Sequence, residues 1–222
     1  MPLEIKTITF SGVNCYLVRT GGNFILIDTG FPKSRTDIET EIANSGCRPG
    51  NLSLIFITHG DPDHIGNAAF LRDKFGAKIA MNRADSGMTE HGDFFGSRNV
   101  NGFINAIAKM LAPFVLKKSD RFTADIFAED GWDFAGYGLE ATGISTPGHS
   151  GGSMSVLTPG GDLFCGDLLV NRKKPGVFRV FHTDLKAANA TIENLKTLNV
   201  KTVYPGHGKT FAWEDFMKNP SE

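Results

Sequence analysis

The sequence predicts an α+β fold made of two β-rich halves, each carrying its helices on the outside. Three observations predict it. Short apolar or alternating runs parted by glycine-containing turns open the chain, and a second such set recurs past its middle. Apolar residues at spacings of three and four follow strand-like runs in both halves, the pattern of helices that cover a sheet. No linker, charge block or low-complexity segment separates the halves, so the 222 residues are expected to form a single domain.

In the first half, residues 4–10, 13–19 and 23–28 read as strands joined at Ser11-Gly12 and Gly21-Gly22. Ser34 and Asp37 suggest a capping box for a helix that runs to about Ala43 and ends near Gly46. Residues 54–57 are continuously apolar, as a strand buried on both faces must be. Ile65, Ala68, Leu71 and Phe75 recur at helical spacing and place His64 in the first turn of a helix, with a further strand at 78–81. Residues 85–130 read as an insertion. Its Phe103, Ile107, Met110 and Phe114 share one helical face, which is expected in the core, although the position suits equally a substrate-pocket lining, a lid or a subunit contact. In the second half, residues 138–144, 153–157 and 162–165 read as strands, with a turn at 158–161. Leu185, Ala188, Ile192, Leu195 and Leu198 form an amphipathic helix capped by Thr183 and Asp184, and a strand follows at 201–204.

Composition narrows the function. A formal charge of -1 and a pI near 6.6 provide no field to gather nucleic acid or an anionic membrane, so neither is expected as a partner. The N-terminal residues lack a basic, then apolar, leader pattern, and no run is long enough to span a bilayer, which sets a cytoplasmic expectation. Cys15, Cys47 and Cys165 are odd in number, far apart and without a C-x-x-C pair, so they are read as buried free thiols. A small-molecule substrate is the remaining expectation, and a homodimer is compatible with it.

The chemistry concentrates in T-H-G-D-P-D-H-I-G-N, residues 58–67. His59, Asp61, Asp63 and His64 fall within six residues directly after an apolar strand, and imidazoles with carboxylates on one strand-end loop are what a divalent metal binds. Three further polar residues stand beside glycines at strand ends: His149 in P-G-H-S-G-G, Asp167 in C-G-D-L and His207 in P-G-H-G. Together they are seven candidate ligands on four loops. His91 and His182 fit no such setting, His182 being read as a surface residue. Trp132, Tyr137 and Tyr204 are read as packing residues.

The ordered set D-T-G, H-x-D-x-D-H, P-G-H, G-D and G-H-G, spanning about 14–209, resembles the metallo-β-lactamase superfamily. The resemblance implies a four-layer αββα sandwich with a binuclear site at one edge. Carried over by motif, His59, Asp61 and His149 would hold a first metal, Asp63, His64 and His207 a second, and Asp167 would bridge them. Asp28 would support the loop without binding metal. The implied activity is a metallohydrolase that opens an ester-like bond of a small molecule (lactone, ester, thioester or lactam) through a metal-generated hydroxide, with Asp63 as the catalytic carboxylate. Substrate-binding residues remain open.

Asp61 stands where the family's motif usually has a second histidine. Its charge would lower the Lewis acidity of the pair, and its hard oxygen tilts the choice from zinc, the first expectation, toward iron or manganese. Occupancy by a single ion is the alternative to two. Iron-dependent redox chemistry (oxygen or nitric-oxide reduction, or persulfide oxidation) is the alternative activity, as the flavodiiron branch also resembles this site in having a carboxylate there. Pro62 holds Asp61 toward an extended backbone.

Overall fold

The third strand of the chain shows how the layers are built. Phe24 and Leu26 face one apolar cluster while Ile25 and Ile27 face another, because successive side chains of a strand point to opposite sides of its sheet. In the computed structural model, which describes residues 3–94, 103, 106–107, 110, 114, 116–179 and 184–218, this strand lies inside a six-stranded sheet. That sheet runs β1 (Ile5–Phe10), β2 (Val13–Thr20), β3 (Asn23–Ile27), β4 (Leu52–Phe56), β5 (Lys78–Met81) and β6 (Ile126–Phe127) in chain order. The first three strands are antiparallel and the last three add in parallel.

The second sheet comprises β7 (Trp132–Asp133), β8 (Thr142–Ser145), β9 (Met154–Leu157), β10 (Asp162–Asn171), β12 (Thr202–Gly208) and β13 (Phe211–Ala212), with β11 (Pro175–Val177) paired to β10. One face of each sheet meets the other: Ile25, Leu54 and Phe56 share a core with Met154, Val156 and Phe164. Outside the first sheet pack α1 (Arg35–Asn44) and α3 (Ala68–Phe75), which follows the four-residue α2 (Pro62–Ile65); α4 (Ser86–His91) comes after β5. Outside the second pack α5 (Leu185–Leu195) and α6 (Trp213–Lys218). The order of layers is therefore αββα. No helix among the described residues is long and apolar enough to cross a membrane.

Most elements stand where the hydrophobic pattern puts them, and the departures have local causes. Residues 62–75 form two helices rather than one. The chain bends at Gly66 and Asn67, where a Cβ on Gly66 would lie 2.3 Å from Pro32 Cδ and the Asn67 amide donates to the carbonyls of Thr29 and Phe31. Ser34 is the N-cap of α1 but makes no capping hydrogen bond, because a 3₁₀ turn at Pro32–Ser34 leaves its backbone near-helical (φ -93, ψ 16) instead of extended. Residues 138–141 are not strand: the 3₁₀ turn Ala135–Tyr137 ends in Gly138 at φ 78, and pairing begins only at Thr142. Asp184 does cap α5, accepting from the amides of Lys186 and Ala187, whereas Thr183 lies outside the described residues.

The 103–114 stripe departs most from expectation. Its described members are helical, but Phe103, Ile107, Met110 and Phe114 are 75%, 39%, 66% and 84% exposed, so the stripe is not core. Helical spacing fixes which residues share a face and not what that face meets. The three cysteines are free and buried, as read from their spacing. Trp132 packs among Phe56, Phe134 and Tyr137, and Tyr204 against Tyr16 and Phe164.

Candidate metal centre

All seven candidate ligands converge at one edge of the sandwich. Asp61 is the residue before α2, with φ -72 and ψ 146, the extended backbone that Pro62 favours, and this aims its carboxylate at the second sheet. Its Oδ2 lies 3.0 Å from His149 Nε2 and 3.6 Å from His59 Nε2. Asp63 and His64 occupy the turn of α2 itself. His207 Nε2 lies 3.3 Å from Asp63 Oδ2 and 3.2 Å from Asp167 Oδ2, and His64 Nε2 lies 3.3 Å from Asp167 Oδ1.

Donor atoms of His59, Asp61 and His149, of Asp63, His64 and His207, and of His59, His64 and Asp167 form three groups, each within 4.8 Å. Ligands at about 2.1 Å from a tetrahedral ion stand roughly 3.4 Å from one another. The separations above bracket that value.

The outer nitrogens explain why the inner ones are free. His64 Nδ1 donates to Asp28 Oδ2 at 2.8 Å, and His207 Nδ1 donates to the Gly12 carbonyl at 2.8 Å. The Thr58 hydroxyl donates to Asp28 Oδ2 and so accepts from His59 Nδ1 at 3.0 Å. Each partner can only accept, which places the proton on Nδ1 and leaves Nε2 as the ligating nitrogen. Accordingly His59 Nε2, His64 Nε2 and Asp167 Oδ1 are buried without a hydrogen-bond partner. Orphaned buried polar atoms are rare. Three of them facing one point, beside the further carboxylates of Asp61 and Asp63, fit a divalent cation.

Asp28 earns its place through strain. It is one of two non-glycine residues with positive φ among the described residues (φ 59). That turn lets its carboxylate accept from Thr58 N, Thr58 Oγ1 and His64 Nδ1 together. Thr29 of the same D-T-G segment donates its amide and hydroxyl to the His64 carbonyl. The motif thus fixes the metal loop from below at both ends of His64.

Without metal the centre stores protons. Burial alone would raise the Asp63 and Asp167 carboxyls, but neighbouring His64 and His207 hold both below the usual carboxylate range. Burial disfavours charge on His207, yet Asp167 and Asp63 push it up to about 9, and carboxylates likewise hold His64 well above its ordinary value. His149, dominated by burial, is lowered. A raised histidine stabilises the fold below its unfolded value of 6.5 and loses that contribution as pH rises through the folded value. The melting temperature of metal-free protein is therefore expected to fall between pH 6.5 and about 9, and saturating metal, which needs neutral imidazole, should remove that decline in a differential scanning measurement.

The centre opens into a cavity of about 720 Å³ lined by Phe31, Asp61, Asp63, Asp167, Asn171, Arg172, Phe178, His207 and Lys209, among others. Several of these walls escaped the sequence reading. Phe178 stacks on His207 (ring centroids 5.3 Å, 9°) and meets His149 edge-on at 5.3 Å, with the Arg172 guanidinium 5.7 Å from its ring. An isolated phenylalanine on the loop after Asp167 carries no spacing signal that would single it out. His91 is exposed on α4, away from the centre (side chain 76% exposed), and His182 lies outside the described residues.

The model of the metallo-beta-lactamase superfamily matches residues 8–207. A "Beta-lactamase-like protein 2 homolog" of Caenorhabditis elegans is 26% identical over 204 residues, covering 90% of this chain and 57% of the relative. A hydroxyacylglutathione hydrolase of Haemophilus ducreyi is 29% identical over 163 residues, covering 73% of this chain and 54% of its own length. This chain thus spans little more than half of either relative. Among solved structures, the di-iron-bound form of TTHA1623 superposes with a TM-score of 0.74 at 24% identity, covering 98% of both chains.

Proposed function

Because the chain belongs to the metallo-beta-lactamase superfamily, we propose that it is a metal-dependent hydrolase acting on an ester-like bond of a small molecule. The observation that carries this reading is the set of buried, unpartnered atoms, His59 Nε2, His64 Nε2 and Asp167 Oδ1, that face one another, beside an open cavity lined by Asp61, Asp63, Asp167 and His207. His59, Asp61 and His149 would hold one divalent ion, Asp63, His64 and His207 the other, with Asp167 between them. Ions so held supply Lewis acidity toward a carbonyl oxygen and a water acidic enough to attack near neutral pH.

The protein's own groups supply the rest. Asp63 lines the cavity and is the most exposed of the seven (side chain 18%), and its lowered carboxyl stays ionised, so Oδ2 is placed to accept a hydrogen bond from an attacking water. Phe31 and Phe178, the latter stacked on His207, line the cavity and suit an apolar portion of the substrate. Arg172 and Lys209 stand on the same wall and suit an anionic substituent. Replacing Arg172 with alanine is expected to raise KM for a carboxylate-bearing substrate roughly tenfold with little change in kcat, as read from saturation kinetics on charged and neutral versions of one ester.

Metal analysis of protein purified without added metal, paired with a panel of lactones, thioesters, β-lactams and phosphodiesters, tests the reading. Two divalent equivalents and chelator-sensitive turnover of one carbonyl class are expected. Iron with thiol-dependent oxygen consumption, and no hydrolysis, would replace it with the redox reading, whose iron the hard oxygens of the three carboxylates suit. Exchanging Asp61 for histidine removes one negative charge from the set. It is expected to shift the metal found toward zinc and to move the acid limb of the rate profile to lower pH by about one unit.

A further inference from the structure

We infer that two buried polar side chains of the first half, Asp85 and Asn14, are positioning residues, Asp85 serving the first metal position and Asn14 the second. The inference rests on the two-metal reading above. Both residues hold backbone that carries ligands and neither belongs to the donor groups.

Asp85 follows β5 and is fully buried. Its Oδ2 accepts from Gly60 N at 3.0 Å and from Ser150 Oγ at 2.6 Å, and its Oδ1 accepts from Gly152 N at 3.0 Å. Gly60 lies between His59 and Asp61, and Ser150 follows His149. One carboxylate therefore ties the two loops that bring the first-position donors together from opposite sheets. The loops also press on this segment: a Cβ on Gly152 would lie 2.6 Å from Asp85 Cγ, and one on Gly60 2.5 Å from Met88 Sδ in α4. Packing alone would be met by an apolar side chain, whereas burying a carboxylate is costly unless its hydrogen bonds are made.

Asn14, on β2, does the same for the other position. Its Nδ2 donates to the Pro205 carbonyl at 2.9 Å and the Gly208 carbonyl at 2.8 Å, on either side of His207, while its Oδ1 accepts from Thr9 Oγ1 at 2.7 Å. The Tyr16 hydroxyl, two residues on, also donates to the Pro205 carbonyl, at 2.6 Å. His207 is thus set by the first sheet although its strand lies in the second.

The two assignments separate in a zinc titration of metal-free, folded protein against a chromophoric chelator, with circular dichroism confirming the fold of each variant. His149→Ala and His207→Ala identify which binding step belongs to which position. Asp85→Asn, and the milder Ser150→Ala, should weaken the step that His149→Ala abolishes by about tenfold or more and leave the other step unchanged. Asn14→Leu, and the milder Tyr16→Phe, should do the reverse. Equal weakening of both steps would mark a merely structural role, and unchanged steps in the two mild variants would remove the assignment; either overturns it. A single step in the unmodified protein would instead overturn the two-metal reading on which it stands.

Discussion

Alanine at Asp63 is expected to lower kcat by at least roughly a thousandfold, the scale on which a group that both holds metal and orients the nucleophile acts. Asp63 touches the centre from the cavity side: its Oδ2 lies 3.3 Å from His207 Nε2 and 3.9 Å from His64 Nε2. Truncation removes one of three donors at the second position and the more exposed of the two that line the cavity. Fold and first-position binding should persist, because the hydrogen bonds that hold the loop run through Asp28, Thr29 and Asp85. Steady-state kinetics and metal counting on the same sample check this. Full activity with one ion lost would make the second position dispensable, and full activity with both retained would remove Asp63 from catalysis.

The second large effect is expected at a residue with no side chain. A Cβ added to Gly206 would lie 2.3 Å from Asp167 Oδ1 and 2.7 Å from His64 Cε1, inside the space the donors share. Neither neighbour is a flexible side-chain end; both are buried and hydrogen-bonded or clamped between the sheets. Gly206→Ala should therefore displace Asp167 or His64, cost about 1–3 kcal/mol as overpacking and lower metal content toward one ion per chain or none. Thermal melting with and without metal separates the terms: the metal-free protein should lose only the packing cost, and the metal-induced rise in melting temperature should shrink. A variant with unchanged metal content and activity would show that the backbone can retreat here, and that Gly206 serves only the turn.

The glycines beside the ligands mark where sequence reading stops short. Gly148, Gly166 and Gly206 were legible as neighbours of His149, Asp167 and His207, but a tight turn was the physical reason available from sequence. Gly166 does adopt positive φ (49). For Gly206 the reason is a close approach by two ligands from other loops, which depends on contacts across the sandwich.

Local chemistry at short spacing was determined by the sequence alone. His59, Asp61, Asp63 and His64 sit together because six residues on one turn cannot be far apart, and the continuously apolar 54–57 run dictated a strand buried on both faces. Only the tertiary structure decided which groups from distant segments meet. Asp85 and Asn14 are ordinary polar residues in the sequence; facing loops of the second sheet turns them into clamps. Phe178 and Arg172 become walls of the cavity because their loop folds back over His207. The 103–114 stripe has the period of a core helix and lies exposed. Periodicity and spacing are properties of one segment, whereas burial and metal geometry belong to the pair of sheets that encloses them.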